Sequence, residues 1–165
     1  MTNSARHPAA PTAVLALLGF GLAVAVVAVV GGLAAATSAQ QYAGLVQPAW
    51  APPPWLFGPV WTVLYVLIAV SGWLVWRRAG LASPAHVVYG IQLLLNMAWT
   101  PLFFGAGLRG LAFVEIVLLW ITVGTTIALF ARIDRQAAWL LVPYAAWVTF
   151  AGALNLAIWV LNRPG

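Results

Sequence analysis

The chain divides at Gln47-Pro48-Ala49-Trp50-Ala51-Pro52-Pro53-Pro54-Trp55, which holds four prolines, two tryptophans and no charge. Proline fixes φ and removes a backbone donor, so this stretch cannot continue a helix or lie in the middle of a sheet. Tryptophan is amphipathic and favours the membrane–water interface. The stretch therefore predicts a stiff, extended loop, and its position between long apolar segments indicates a lid.

The composition is that of a protein that crosses a membrane several times. Of the 165 residues, 64% are hydrophobic and 5% are charged, whereas soluble domains usually carry about 25% charged residues. The mean hydropathy is +1.01. Because one span needs about 20 apolar residues, the chain has room for up to five spans and little room for a soluble domain.

Apolar runs that end at arginine, glycine or proline predict an all-α bundle of five transmembrane helices in a single domain. The first run is longer than the core of a signal peptide, about 7–15 residues, so it is interpreted as an uncleaved anchor. Pro101 is expected to interrupt the third span, and Pro143 lies near the start of the fifth. The predicted spans are 12–36, 58–76, 85–104, 111–131 and 137–161, with a polar tail at 1–11 and the Pro/Trp-rich loop at 37–57.

The arginines at the ends of the spans predict an orientation. With five spans, Arg109 and Arg163 fall on one side of the membrane and the other five arginines fall on the side of the N-terminus. Short basic loops stay in the cytoplasm. The N-terminus is therefore expected in the cytoplasm, and the C-terminus and the Pro/Trp-rich loop outside.

Several functional classes are excluded by what the chain lacks. The net charge is +5, but the arginines are scattered, so nucleic acid is not an expected partner. The absence of lysine excludes a retinal Schiff base, and the absence of cysteine excludes disulfides and thiolate metal sites. His7 and His86 lie at segment edges, which argues against haem held between two intramembrane histidines. No metal site and no hydrolytic Ser–His–Asp set is indicated.

Polar and aromatic residues recur at helical spacing on three of the predicted spans, where residues three, four or seven apart share a face. Amides are costly in hydrocarbon unless they are partnered, so they are expected to face the bundle interior. Two interpretations are left open: amides that join helices, or a cavity under the loop for a large, flat, apolar ligand with polar edges. The faces comprise Trp61, Tyr65, Ile68 and Gly72; Gln92, Asn96 and Trp99; and Tyr144, Trp147, Ala151 and Asn155.

Glu115 is the only acid within a predicted span. Intramembrane carboxylates are candidates for function. Because Glu115 lies about one turn from the start of its helix, an interfacial or structural role, including a pair with Arg109, is left open beside a role in handling a ligand or proton.

Four motifs resemble those of the translocator protein family, whose bacterial members are called tryptophan-rich sensory proteins (TspO) and whose animal members were called peripheral benzodiazepine receptors. The motifs follow the family's order and spacing from about Tyr42 to Asn162. They are Tyr42 with Gln47-Pro48-Ala49-Trp50-Ala51-Pro52-Pro53, Trp61-Thr62-Val63-Leu64-Tyr65, Asn96-Met97-Ala98-Trp99-Thr100-Pro101-Leu102-Phe103-Phe104-Gly105, and Leu141-Val142-Pro143-Tyr144-Ala145-Ala146-Trp147.

The resemblance implies a bacterial membrane protein, usually a homodimer in the lipid bilayer, that binds a tetrapyrrole such as protoporphyrin IX or haem as its ligand and requires no cofactor. It also implies binding of isoquinoline-carboxamide and benzodiazepine-type ligands, in a pocket among the helices under the first loop. The ligand-binding residues that it implies are Tyr42, Trp50, Trp61, Asn96, Trp99, Thr100, Tyr144, Trp147 and Ala151; further polar candidates are Glu115, Gln92 and Asn155.

Two features of the resemblance bear on activity. In some bacterial relatives two tryptophans, which match Trp61 and Trp147, support light-dependent breakdown of protoporphyrin. The sterol motif of animal members has a tyrosine and a basic residue where this chain has Leu156 and Val160, so sterol binding through that motif is not expected.

The resulting hypothesis is a porphyrin-binding sensor, scavenger or regulator in the bacterial cytoplasmic membrane. The alternatives are a light- and oxygen-dependent porphyrin-degrading activity at Trp61 and Trp147, and a transporter of porphyrin or lipid. Active transport is disfavoured because the chain has no nucleotide-binding motif, no inverted repeat and one intramembrane carboxylate.

Overall fold

Five apolar helical spans make up most of the residues that the computed structural model describes, which are 10–37 and 42–163. This confirms the predicted all-α fold of five membrane-spanning helices, and the described ranges contain no strand. The helices are α1 (Ala10–Thr37), α2 (Phe57–Ala79), α3 (Pro84–Thr100), α4 (Arg109–Ala131), α5 (Arg135–Leu140) and α6 (Val142–Leu161). Helices α5 and α6 together form the fifth span, Arg135–Leu161.

The helix bounds lie within a few residues of the predicted spans. Helix α1 begins at Ala10, inside the predicted polar tail, because the apolar run extends that far. The rest of that tail, with Arg6 and His7, and the loop residues 38–41 lie outside the described residues. Pro101 ends α3 as predicted, and the chain continues through a π-helical turn, Pro101–Gly105, in which Ala106 N–H donates to the Pro101 carbonyl at 2.9 Å.

The spans close into a ring of packed neighbours, and α2 also contacts α3. Helix α1 contacts α2 and α3, α3 contacts α4, α4 contacts α5 and α6, and α2 contacts α5. Close approach depends on Gly72, because a Cβ atom there would lie 2.8 Å from Cζ of Tyr89 and 2.9 Å from Cδ1 of Phe20. His86, predicted at a segment edge, lies at the start of α3 but is buried among these rings, 5.7 Å from Phe20.

Asp134 fixes the junction between the fourth and fifth spans. Its Oδ1 accepts from the backbone N–H groups of Gln136 (2.9 Å) and Ala137 (3.2 Å), which caps α5. Its Oδ2 lies 2.8 Å from Nε of Arg78 on α2. The carboxylate is almost completely buried while Arg78 is mostly exposed. One side chain thus starts a helix and ties two spans together.

Replacing Asp134 by alanine is expected to destabilise the bundle by about 2 kcal/mol, because it removes a helix cap and one member of the ion pair with Arg78. In mild detergent this corresponds to a fall in Tm of about 5 °C. Asp134→Asn keeps a capping oxygen and should lose less than half as much. Equal Tm values for wild type and Asp134→Ala would contradict the cap.

Candidate ligand-binding site

A cavity of about 810 Å³ lies between the Pro/Trp-rich loop and helices α1, α2, α3 and α6. Its volume falls within the range of small-molecule sites, about 300–1,000 Å³. The lining consists mostly of apolar and aromatic side chains: Ala28, Gly31, Gly32, Ala35, Ala36, Tyr42, Ala43, Gln47, Pro54, Phe57, Gly58, Trp61, Thr62, Tyr65, Trp99, Thr100, Phe104, Trp147 and Ala151.

Helix α1 forms one wall of this cavity with small residues alone. Ala28, Gly31, Gly32 and Ala35 recur three or four positions apart, so they share one face of the helix. Gly31 also allows a close approach to α3, since a Cβ atom there would lie 3.3 Å from Oγ1 of Thr100. The absence of long side chains on this face leaves the space in which a ligand fits.

Aromatic rings on the other walls hold one another in place. Trp61 stacks on Tyr65 at 5.1 Å between ring centroids, and Trp99 stacks on Phe103 at 5.1 Å. Trp147 meets Phe57 edge-on at 5.9 Å. Such pairs contribute about 0.5–1.5 kcal/mol beyond burial, so the indole faces are fixed before any ligand arrives.

Two polar groups of the lining have no partner within the described residues: the Tyr42 hydroxyl and Nε1 of Trp147. Burial raises the pKa of the Tyr42 hydroxyl, so it stays protonated at neutral pH and can donate. Buried donors are nearly always hydrogen-bonded in native proteins. The cavity therefore offers two donors to a ligand that carries acceptor groups.

A chain of hydrogen bonds supports the wall from behind. The Tyr65 hydroxyl donates to Oδ1 of Asn96 (3.2 Å), and Nδ2 of Asn96 donates to the Tyr144 hydroxyl (2.9 Å). The Tyr144 hydroxyl in turn donates to Oε1 of Gln92 (3.0 Å). All but Tyr65 are buried. The chain joins α2, α3 and α6 and so fixes the position of the cavity-lining Tyr65.

A second link starts at Trp99. Its Nε1 donates to Oδ1 of Asn155 (3.1 Å), and Nδ2 of Asn155 donates to the carbonyl of Arg109 (2.9 Å) at the start of α4. Both amide functions of this buried asparagine are used. The orientation of the Trp99 indole is thereby set by the fifth span and the turn before the fourth.

The Pro/Trp-rich loop is attached to the far end of the chain by Asn162. The Val46 N–H donates to Oδ1 of Asn162 (2.9 Å), and Nδ2 of Asn162 donates to the Val46 carbonyl (2.9 Å). The two residues are 116 positions apart. This pair of bonds, here called the loop clamp, holds the loop where Tyr42, Gln47 and Pro54 line the cavity.

Residues 20–160 match the profile of the TspO/MBR family. The chain belongs to this family. It is 41% identical over 128 residues to the tryptophan-rich protein TspO of Chlorobaculum tepidum. The aligned region covers 73% of this chain and 78% of that protein. It is 41% identical over 126 residues to the translocator protein of Sus scrofa, with 74% and 75% covered. With TspO of Archaeoglobus fulgidus the identity is 40% over 152 residues, with 90% and 98% covered. The chain is thus an integral membrane protein of the TspO/MBR type.

In this TspO/MBR protein the residues predicted to bind a ligand occupy two different positions. Asn96 and Tyr144 do not line the cavity and lie in the hydrogen-bonded chain behind it. Trp50 also lies off the cavity, half exposed, with its ring 5.8 Å from Phe150. The predicted residues that line the cavity are Tyr42, Trp61, Trp99, Thr100, Trp147 and Ala151.

The further polar candidates also lie outside the cavity lining. Gln92 and Asn155 are buried between helices. Glu115 is 6% exposed, and neither of its carboxylate oxygens has a hydrogen-bond partner within the described residues. In that part of the chain it forms no ion pair with Arg109, which was one form of the structural role left open for it.

Sequence reasoning missed the small-residue wall of α1 and the loop clamp. A signal for the wall exists, because Ala28, Gly31 and Ala35 recur at helical spacing. The same spacing is typical of close helix packing, so it does not by itself predict a cavity. For the loop clamp no local signal exists in the sequence.

Proposed function

We propose that this TspO/MBR protein binds a tetrapyrrole in the cavity under the Pro/Trp-rich loop and acts as a sensor, scavenger or regulator of porphyrin levels. The main support for this proposal is the cavity. Its volume is about 810 Å³, and its lining combines the tryptophans Trp61, Trp99 and Trp147 with the small residues of α1. A flat apolar macrocycle gains most where broad aromatic faces are already fixed.

The two unpartnered donors match the polar edge of such a ligand. Protoporphyrin carries propionate groups, whose oxygens would accept hydrogen bonds from the Tyr42 hydroxyl and from Nε1 of Trp147. Charge-assisted bonds of this kind are the stronger ones. The described lining contains no histidine or methionine, so it offers no nitrogen or sulfur ligand to a haem iron.

The same cavity suits smaller aromatic amides. An isoquinoline carboxamide or a benzodiazepine would place its rings between the tryptophans and its carbonyl oxygen near one of the two donors. The rest of the proposal follows the family: a homodimer in the cytoplasmic membrane of a bacterium, with the N-terminus in the cytoplasm.

A second candidate function is light-dependent oxidation of the bound porphyrin by oxygen. It is favoured by one observation, which is that Trp61 and Trp147 both line the cavity. A porphyrin excited there would lie against two oxidisable indoles. This activity and simple binding differ in one measurable respect, the fate of the porphyrin in light.

The test is a titration of the purified protein in detergent with protoporphyrin IX, first in the dark and then under light. Tryptophan quenching and the porphyrin absorption band are followed for wild type, Trp61→Phe and Trp147→Phe. Trp147→Phe removes a donor to the ligand and is expected to weaken binding about tenfold. Trp139→Phe is the matched control, because Trp139 is 67% exposed and lies off the cavity.

Three outcomes separate the candidates. Saturable quenching with a stable band in light identifies a binder. Loss of the band in light that is suppressed in Trp61→Phe and Trp147→Phe, and retained in Trp139→Phe, identifies the degrading activity. Absence of saturable quenching in wild type would overturn the porphyrin assignment altogether.

A further inference from the structure

A second, smaller pocket lies at one end of the bundle, away from the cavity lining. It has a volume of about 270 Å³ and lies between the turn before α4 and the C-terminal end of α6. Two arginines contribute to it, Arg109 from the first position of α4 and Arg163 from just beyond α6. These are the two arginines that the span order places together at the end of the bundle away from the N-terminus.

Within the described residues, no acidic side chain neutralises the positive charge of this pocket. The chain has only two acidic residues, Glu115 and Asp134. Asp134 pairs with Arg78 at the other end of the bundle, and within the described residues Glu115 pairs with neither pocket arginine. Two cations therefore share one pocket without an acidic side chain beside them in the described part of the chain, which costs free energy unless an anion joins them.

Several hydrogen-bond donors of the pocket are also unused. Nε of Arg109 is buried and has no partner within the described residues. The backbone N–H groups of Gly110 and Leu111, both in the pocket lining, donate to no described acceptor. Leu108, which precedes α4, provides no side-chain cap. The pocket thus combines a buried guanidinium N–H with two free amides, all of which can donate to one anion.

The second arginine is held over an aromatic ring. The guanidinium carbon of Arg163 lies 4.1 Å from the ring centre of Trp159. Gly110 allows this, because a Cβ atom there would lie 2.8 Å from Cζ2 of Trp159 and would displace the ring. The glycine, the indole and Arg163 therefore form one packed unit that places the second cation at the pocket.

We propose that this pocket binds a phosphate group, carried by an anionic phospholipid headgroup or present as the free ion. Arginine is suited to phosphate because its planar fork donates two parallel hydrogen bonds. The pocket lies where two membrane spans end, which is the depth of lipid headgroups. This site is separate from the tetrapyrrole cavity, and its test uses no porphyrin.

The experiment compares lipids with matched acyl chains on the full chain in detergent, with retained lipid counted by native mass spectrometry. Phosphatidylglycerol is expected to bind about tenfold more tightly than dioleoylglycerol, which lacks the phosphate, because of the charge-assisted bonds. Arg109→Gln with Arg163→Gln should remove this preference. Arg132→Gln with Arg135→Gln is the matched control, since it removes the same charge from exposed positions at the other end.

Inorganic phosphate in the millimolar range distinguishes the two sources. Displacement of phosphatidylglycerol by phosphate, or broadening of the phosphate ³¹P signal that depends on Arg109 and Arg163, identifies a site for the free ion. Retention of the lipid in excess phosphate identifies a headgroup site. The proposal is overturned if Arg109→Gln with Arg163→Gln keeps the lipid preference of wild type, as the control double variant is expected to do. It is also overturned if wild type binds phosphatidylglycerol and dioleoylglycerol equally and binds no phosphate.

Discussion

Replacing Ala28 by tryptophan is expected to weaken protoporphyrin binding by up to about a hundredfold while leaving the five-helix bundle intact. Ala28 is one of the small residues through which α1 lines the cavity. An indole at this position would project toward Trp61 and Trp147 and occupy the space in which the macrocycle is proposed to lie. Steric conflict of this kind costs about 1–3 kcal/mol, so affinity should fall by up to about a hundredfold. The measurement is the dark quenching titration.

Leu22→Trp is the matched control for this substitution. It adds the same side chain to the same helix, but Leu22 is 68% exposed and lies on the face of α1 outside the cavity. The affinity of the Leu22→Trp variant for protoporphyrin should equal that of wild type. The far-UV circular dichroism of both variants should match wild type, since tryptophan is tolerated within a helix and neither native side chain belongs to the buried core. Unchanged binding in Ala28→Trp would show that the porphyrin binds elsewhere.

The fold follows from the sequence because the bilayer imposes a simple length rule. About 20 apolar residues cross it as a helix, and the runs of this chain end at arginines, glycines and prolines near the observed helix ends. The membrane core also admits no unpaired backbone, so few alternatives to a helical bundle exist. Span number and helix type were therefore predictable without any knowledge of packing.

The cavity was only partly predictable, because helical spacing identifies a face but not its neighbour. Trp61, Trp99 and Trp147 were predicted on interior faces and line the cavity. Asn96 and Tyr144 share such faces, yet they satisfy each other by a hydrogen bond and lie behind the wall. Which amide pairs with a hydroxyl and which group remains free depends on distances between helices, and these are absent from the sequence.

Loop residues were the least predictable part of the site. Trp50 belongs to the loop motif, but a loop has no periodicity that assigns its side chains to one face, and the ring packs on Phe150 instead of the cavity. The loop clamp joins Val46 to Asn162 across nearly the whole chain. Such a contact becomes visible only when the first loop and the end of the fifth span are seen side by side.

Loss of the loop clamp is expected to increase the rate at which a bound ligand dissociates. Replacing Asn162 by alanine removes both hydrogen bonds to Val46, each at 2.9 Å. Each such bond contributes about 0.5–1.5 kcal/mol, so the loop should open more often and dissociation of bound protoporphyrin should be about tenfold faster. Rapid mixing of the porphyrin complex with excess apo-acceptor measures this rate.

Hydrogen exchange at the Val46 amide reports on the same clamp without any ligand, because that N–H is protected by Oδ1 of Asn162. Asn162→Ala should raise its exchange rate. Asn162→Asp keeps an acceptor for the N–H and loses the bonds from Nδ2 to the carbonyls of Val46 and Ile158, so its effect on both rates should be intermediate. If the amide exchanges faster in Asn162→Ala but dissociation is unchanged, the loop is clamped but does not gate the cavity. If exchange is also unchanged, the clamp does not hold the loop. Only a parallel rise in both rates across the two variants assigns the Pro/Trp-rich loop the role of a lid whose opening limits ligand release.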